Sequence, residues 1–473
     1  MTHEATSPAV EHTGWRGILS FRPAPGWVAE HVREELELFA TLPGESMFTP
    51  SVVVTVNPFT GSIREFSQRA QDGLTGTLDD LRMIDVGGWE PDPQPVDPDQ
   101  PQGEVEDASS LRHRRLEYVH RAPNGRLVSG VDYLLLRDGW AIQVSTTCSI
   151  QERVTLSDAF HHMVDSVTTL RPADTSAPSD DATSAGDPPL DAAASAALGA
   201  DVEALDPWAA QRPLPRDGAF VHVSTIDAFA HLDPGGPFNL TRRIFRPKAL
   251  TDEVLADCER LGLLSEGRPT DVGAFFHRAT TGSQLSVRVT AFRGYQQEHW
   301  LQAAVHDDRA LVIAQPGWSE HHGLTPWNAP DQDHRWVEIV PLVELSTRIL
   351  EWTGTAPSWN LLTRPPMLPS ADVARRTSGD PAPTSDEANP AMERLCAEPW
   401  WHWQLQVEAD GVSAPVLPIL SAGRAGPHVI AGLGEDEAAP EYQVIHRTQG
   451  FVVLWQIEDR LQAVREHRDL ILG

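Results

Sequence analysis

Asp138-Gly139 splits the stretch "GVDYLLLRDGWAIQVSTTCSI" (130–150) into two apolar runs, and no other part of the sequence narrows the choice of fold as much. Asp-Gly readily adopts the positive φ angles of a two-residue turn, whose twist matches that of paired strands. Along the second run Trp140, Ile142 and Val144 fall on one face and Gln143, Ser145 and Thr147 on the other, the period of a strand with one buried side. The stretch predicts an antiparallel hairpin with an apolar face. A lone hairpin is marginal in water, so its neighbours must supply further strands and a cover for that face.

The flanks offer both. "SVVVTVNPF" (51–59) reads as a strand. Ser62 and Glu65 have capping-box spacing ahead of Ile63, Phe66, Ala70 and Leu74, which recur at helical period. "LRHRRLEYVHRA", a turn at Pro123-Asn124-Gly125, "RLVSGVDYLLL" and the run after Gly139 make a three-stranded meander. A helix starting near Ser157 places Phe160, Met163, Val164, Val167 and Leu170 on one side, and "WVAEHVREELELFA" (27–40) is expected to be helical. Residues 15–171 are therefore predicted to be an α+β domain, an antiparallel sheet packed with helices.

The composition then changes. Residues 172–211 hold eight acidic residues, no Lys or Arg, and no aromatic except Trp208. Such a stretch buries too little to offset its ordering entropy, which predicts a disordered acidic linker over 172–213. Glu90–Ser110 is expected to be an extended acidic loop, and 370–390 a disordered insertion. Between and beyond these, 214–473 is predicted to be a second α+β domain. "LTDEVLADCERLGLL" is a helix capped by Thr251, with Leu255, Cys258 and Leu261 inward, and a shorter helix starts at Thr270. Leu285, Val287, Val289 and Ala291 alternate as a strand, two strands follow in "HWLQAAVHDDRALVIAQP", and "RWVEIVPLVELSTRILEW" passes from strand to helix. After 390 helix, strands and a terminal helix recur, which suggests an internal duplication.

Two resemblances follow from these strings. "FTPSVVVTVNPF", "SIREFSQRA", "LEYVH", "DYLLLRDGWAIQVSTTC" and "FHHMVDSVTTLRP" resemble, in order, the PsbP-like fold of the LpqN group. This likeness covers nearly all of 15–171 and implies a binding or chaperone module, a class that includes adaptors loading secreted toxins. "LTDEVLADCERLGLLSEGRPTDVGAFFHRAT" and "VEIVPLVELSTRILEW" resemble the EspG-type chaperones of type VII secretion. That second likeness implies a quasi-twofold α+β domain and a secreted client, a helical protein of the WXG or LXG kind.

Charge and cysteine usage set further bounds. A net charge of −30 opposes binding to nucleic acid or anionic membranes. Cys148, Cys258 and Cys396 stand far apart without a CxxC pair, as expected of reduced thiols. "MTHEATSPAVEHTGW" has no basic n-region, apolar core or lipobox, and no run reaches the ~20 apolar residues of a membrane span. A cytoplasmic protein without membrane insertion is the expectation.

Motifs of chemistry are missing from the sequence. "GESMF" lacks the second glycine of a nucleophile elbow, and "GGPFN" and "AGLGEDE" lack phosphate-loop spacing. No catalytic residue, cofactor or metal site is predicted, and the chain is expected not to be an enzyme. His161-His162, His299, His306 and His321-His322 have no ligand spacing, although the loop "SEHHG" (319–323) offers opportunistic metal binding. Among the 15 tryptophans, Trp318, Trp327 and Trp400 are the candidate partner-binding anchors. Trp401 and Trp403 share a strand face with Leu405 and are expected in the core. The alternative function is a small-molecule or lipid binder whose pocket on the first domain is lined by Tyr133, Leu135 and Trp140.

Overall fold

Asp138 and Gly139 take φ of 52° and 78° in the computed structural model, closing the hairpin that the sequence predicts. The structure describes residues 11–30, 37–44, 48–89, 113–173, 189–209, 217–230, 252–266, 268–293, 296–359, 367–379, 390–433 and 441–472. They divide into two units, 1–211 with 356–364, and 212–355 with 365–473.

The first unit runs β1 (His12–Thr13), β2 (Leu19–Phe21), β3 (Val28–Glu30), β4 (Leu38–Thr41), β5 (Ser51–Pro58), α1 (Ile63–Thr77), β6 (Asp79–Gly88), β7 (His113–Arg121), β8 (Leu127–Arg137), β9 (Trp140–Ser149), α2 (Arg153–Asp165), β10 (Thr168–Thr169), α3 (Ala192–Leu198) and α4 (Asp206–Ala209). Its main sheet is antiparallel, in the order β3-β4-β5-β9-β8-β7-β6. The capping box forms as expected: Ser62 Oγ accepts from the Glu65 N–H, and the Glu65 carboxylate accepts from the Ser62 N–H.

Both faces of this sheet are covered. On one, Val52, Val54 and Val56 meet Val131, Tyr133, Leu135, Ile142 and Val144 beneath Phe160, Met163 and Val164 of α2. On the other, Leu116, Tyr118 and Leu134 meet Met83, Val86 and Leu74. This is why "VDYLLL" in β8 reads as a continuous apolar run: its side chains enter a core on either side.

Five expectations change. Residues 27–40 are not a helix: β3 and β4 lie there, with 31–36 outside the described residues. Leu38 and Ala40 alternate into the core while β4 pairs with β5, so tertiary pairing overrides the local helical preference. The meander gains β6 as a further strand, whose acidic, Gly-ended sequence and two register shifts hide its period. Leu170 is exposed, because α2 ends at Asp165 and the chain extends into β10.

The fourth change concerns the linker. Residues 174–188 lie outside the described residues, but 189–209 fold back on the first sheet. Ala194, Val202 and Leu205 are buried against it, and Glu203 forms an ion pair with Arg114 in which both side chains are fully buried. Trp359, from the second half of the sequence, completes the same core. The stretch predicted as an insertion changes likewise, since Ser370–Thr377 is helical and 380–389 lies outside the described residues.

On the face of Leu116 and Leu134, Asp132 is fully enclosed, accepting hydrogen bonds from Tyr118 at 3.2 Å and Gln143 at 2.9 Å. Burial raises its carboxyl to about 6, partly opposed by hydrogen bonds from Ser145, Tyr118 and Gln143. From about pH 4 to 6 the folded state therefore holds a proton that the unfolded state has released, and stability falls as pH rises through that window. Asp132→Asn should remove this slope, gaining at most about 3 kcal/mol relative to wild type above pH 6. Urea midpoints measured across the window check it, and parallel curves for the two proteins would refute it.

The second unit runs β11 (Gly218–His222), α5 (Val223–Ala230), α6 (Asp252–Arg260), β12 (Leu264–Ser265), β13 (Arg268–Pro269), α7 (Asp271–Thr281), β14 (Leu285–Arg293), β15 (Gln296–His306), β16 (Arg309–Ala314), α8 (Trp318–His321), β17 (His334–Pro341), α9 (Leu345–Trp352), β18 (Met367–Pro369), α10 (Ser370–Thr377), α11 (Pro390–Ala397), β19 (Trp401–Ala409), β20 (Val412–Ser413), β21 (Leu417–Ser421), β22 (Pro427–Leu433), β23 (Tyr442–Arg447) and α12 (Gly450–Leu472). Thr270 caps α7 by accepting from the Gly273 N–H, as predicted, while Thr251 and the Leu255 side chain lie outside the described residues. Cys258 is buried.

One antiparallel sheet unites the unit, in the order β11-β17-β16-β15-β14-β19-β21-β22-β23-β18. The same element order occurs twice along the chain: edge strand, helices, four-stranded meander, helix. The two copies meet where β14 pairs with β19, Val289 opposite Leu405 and Ala291 opposite Trp403. On both strands alternate residues are buried, which fixes the register.

Candidate functional site

The central strands of the second unit carry chemically distinct features on opposite faces. On one face lies an aromatic cluster. A β-bulge in β15 starts it: Ala291 pairs with His299 and Phe292 with Gln297, leaving Glu298 without a cross-strand partner. Such a bulge re-aims side chains, so that consecutive residues act on one site. His299 stacks on Trp401 at 5.5 Å between ring centroids, tilted by 24°. The short helix α8 then brings His321 to 3.1 Å from His299, Nδ1 to Nε2, and sets its ring edge-on to Trp401. His322 packs against His321, Trp401 and Trp318.

Electrostatics keep these rings uncharged. Burial, with His321 nearby, lowers His299 to about 4 despite the Glu298 carboxylate. Burial followed by repulsion from His321 and His299 lowers His322 to about 4. His321 is lowered too, chiefly by burial. Neutral imidazole has a free lone pair, the form able to bind a cation. His299 Nδ1 and His322 Nε2 are buried without a hydrogen-bond partner among the described residues.

The other face carries a groove of about 350 Å³ beneath α10. Phe292, Val373, Ala374, Ile419 and Ile430 give it an apolar floor and wall, while His402, Gln404 and Gln443 place polar groups along it. Pairing across β14 and β19 sets Phe292 beside His402, which puts both on the groove side, away from Trp401 and Trp403. Burial lowers His402, so this side chain too is neutral at pH 7.

The predicted anchors fare differently. Trp318 is buried, packed so closely against Gly354 that a Cβ there would lie 2.4 Å from the indole ring. Trp400 is buried as well, its Nε1–H donating to the Leu395 carbonyl at 2.7 Å. Neither presents its indole to a partner in this conformation, because each closes an internal core. Trp327 is half-buried, edge-on to Phe220 at 4.9 Å. Trp401 and Trp403 lie inside with Leu405.

Tyr133, Leu135 and Trp140, expected to line a ligand pocket in the first unit, are buried within its core, where Trp89 meets Tyr133 and Trp140 donates to the Arg171 carbonyl. Packed in this way, the three side chains belong to the core shared by the sheet and α2. His161 packs edge-on against Tyr133, exposed His162 stands apart, and His306 contacts Asp307, so the structure does not gather these histidines with the others. The "SEHHG" loop was legible as a histidine pair. Its junction with Glu298 and His299, 22 positions earlier in the His321–His299 contact, was not.

No helix among the described residues is long and apolar enough to cross a membrane. No family model matches the chain, and no curated protein matches it. Among solved structures, the first unit is weakly similar to cyanobacterial PsbP from Synechocystis, at 11% identity and a TM-score of 0.26, covering 36% of this chain and 96% of that one. It is similarly close to the Ran-binding protein Mog1p of Saccharomyces cerevisiae, at 12% identity and a TM-score of 0.22, covering 35% of this chain and 97% of that one.

Proposed function

We propose that this protein is a non-enzymatic cytoplasmic adaptor or chaperone that holds an exported, helical client soluble before secretion, through a type VII-like system. The groove under α10 carries the reading. It is open, and its size is at the lower end of the ~300–1,000 Å³ typical of small-ligand pockets. A helix laying an apolar face on β19, β21 and β22 would insert a few side chains between Phe292, Val373 and Ile430 and find polar partners in Gln404 and Gln443. The element order repeated about β14 and β19 agrees with the quasi-twofold architecture that the EspG-type resemblance implies. The negative net charge favours solubility of such a carrier.

Co-expression with secreted proteins encoded beside it, followed by co-purification, tests the proposal. A complex should form, and Ala374→Trp, which narrows the groove from the half-buried side of α10, should weaken it by at least about tenfold, some 1.4 kcal/mol, with little change in the melting temperature. Recovery of the protein always alone would overturn the reading. A tightly held small molecule seen by native mass spectrometry would replace the client with a ligand.

A further inference from the structure

We infer that Glu298, His299 and His321 form a binding site for one divalent metal ion of the zinc class. One ligand atom from each lies within 4.8 Å of the other two. The closest pair, His299 Nε2 and His321 Nδ1, is 3.1 Å apart. Two nitrogens each about 2.0–2.1 Å from a tetrahedral ion are roughly 3.3 Å apart, so the imidazoles already stand at ligand spacing. The carboxylate needs a smaller adjustment than a change of backbone: Glu298 occupies the bulge, and its side chain reaches Arg293 at only 3.7 Å, a loose contact that rotation would exchange for the metal.

The surroundings hold this arrangement. Trp401 stacks on His299 and meets His321 edge-on, so neither ring turns without displacing a buried indole. His321 is exposed while His299 and Glu298 are half-buried, which leaves one side of the cluster facing solvent. Two imidazoles and one carboxylate with a fourth position open to water make a donor set suited to zinc. Bound there, the ion ties α8, and with it the connection between β16 and β17, to the bulged end of β15. Nothing in this inference depends on a client, because the groove lies on the other face of the sheet.

Metal-free full-length protein, prepared by dialysis against a chelator, provides the test. Calorimetry with Zn²⁺ should show one site with a dissociation constant of about 10 μM or lower. Co²⁺ as a probe should develop the intense visible bands of four-coordination. His321→Ala and His299→Ala should each weaken binding by about a hundredfold or more, and Glu298→Gln by about tenfold. His446→Ala, at an exposed side chain on β23, should leave it unchanged. Should His299→Ala fail to fold, His321→Ala decides, since that side chain is exposed. Absence of stoichiometric binding, or binding indifferent to His321→Ala, would reduce the pair to a hydrogen bond between two histidines and overturn the site.

Discussion

Glu203→Ala should destabilise the first unit by about 3–5 kcal/mol, the usual result of removing one partner of a buried ion pair. Arg114 Nε lies 3.3 Å from both Glu203 carboxylate oxygens, and both side chains are fully enclosed. Ser67 donates to the same carboxylate at 2.6 Å. The substitution takes this carboxylate away from a guanidinium that has little water to turn to, and leaves a buried hydroxyl without its acceptor. Hydrogen exchange, monitored on β7 and α1, reads the loss where it occurs. Replacing the pair together, Arg114→Met with Glu203→Leu, should recover much of it, because no charge then remains inside. A single substitution costing less than about 1 kcal/mol would mean that 189–209 detaches readily and the pair is wet in solution.

Trp359→Ala should cost a comparable amount, about 3–5 kcal/mol, and again in the first unit although the residue follows α9 of the second. Its indole packs in the core with Leu116, Leu134 and Leu205, its Nε1–H donates to the Glu203 carbonyl at 2.7 Å, and the Arg114 guanidinium sits 5.1 Å from its ring. Because Trp359 and the Arg114–Glu203 pair touch, the two substitutions combined should cost less than the sum of their separate effects. Residues 1–211 produced alone should be weaker than the same unit in the full chain, and a peptide spanning 356–364 should restore protection in exchange experiments. Equal stability of the isolated piece would remove Trp359 from the account. Ala192, inside the stretch read as a linker, opens α3, whose Ala194 is buried in the core of the first unit.

What the sequence disclosed was local. The Asp138-Gly139 turn, the Ser62–Glu65 capping box, the Thr270 cap and the alternation from Leu285 to Ala291 each declare themselves within a few residues, and each formed as read. Residues 27–40 misled because Glu and Leu favour helix while pairing with β5 decides for strand. The 189–209 stretch misled because its value lies in three apolar contacts and one buried carboxylate, invisible against an acidic composition. The cluster of Glu298, His299 and His321 was beyond reach for another reason. A bulge defined by pairing across two strands, and a contact between residues 22 apart, leave no periodic trace. Of the tryptophans, the strand face shared by Trp401 and Trp403 was legible, whereas Trp318 is buried against Gly354 and Trp400 among side chains of α10, α11 and β21, packing that no local pattern announces.

Trp359 also sets a clock. On a ribosome the chain emerges in order, and 156 positions separate Glu203 from the indole that donates to its carbonyl. At about 5–20 residues per second, roughly 8–30 s pass between the appearance of the two. Throughout that interval the nascent first sheet has one face still lacking its last cover, with Leu116 and Leu134 within reach of anything apolar nearby. A first unit finished by its own late segment 356–364 cannot be completed before most of the chain has been translated, and slowing elongation after codon 211 should lengthen its exposure to chaperones and proteases in proportion.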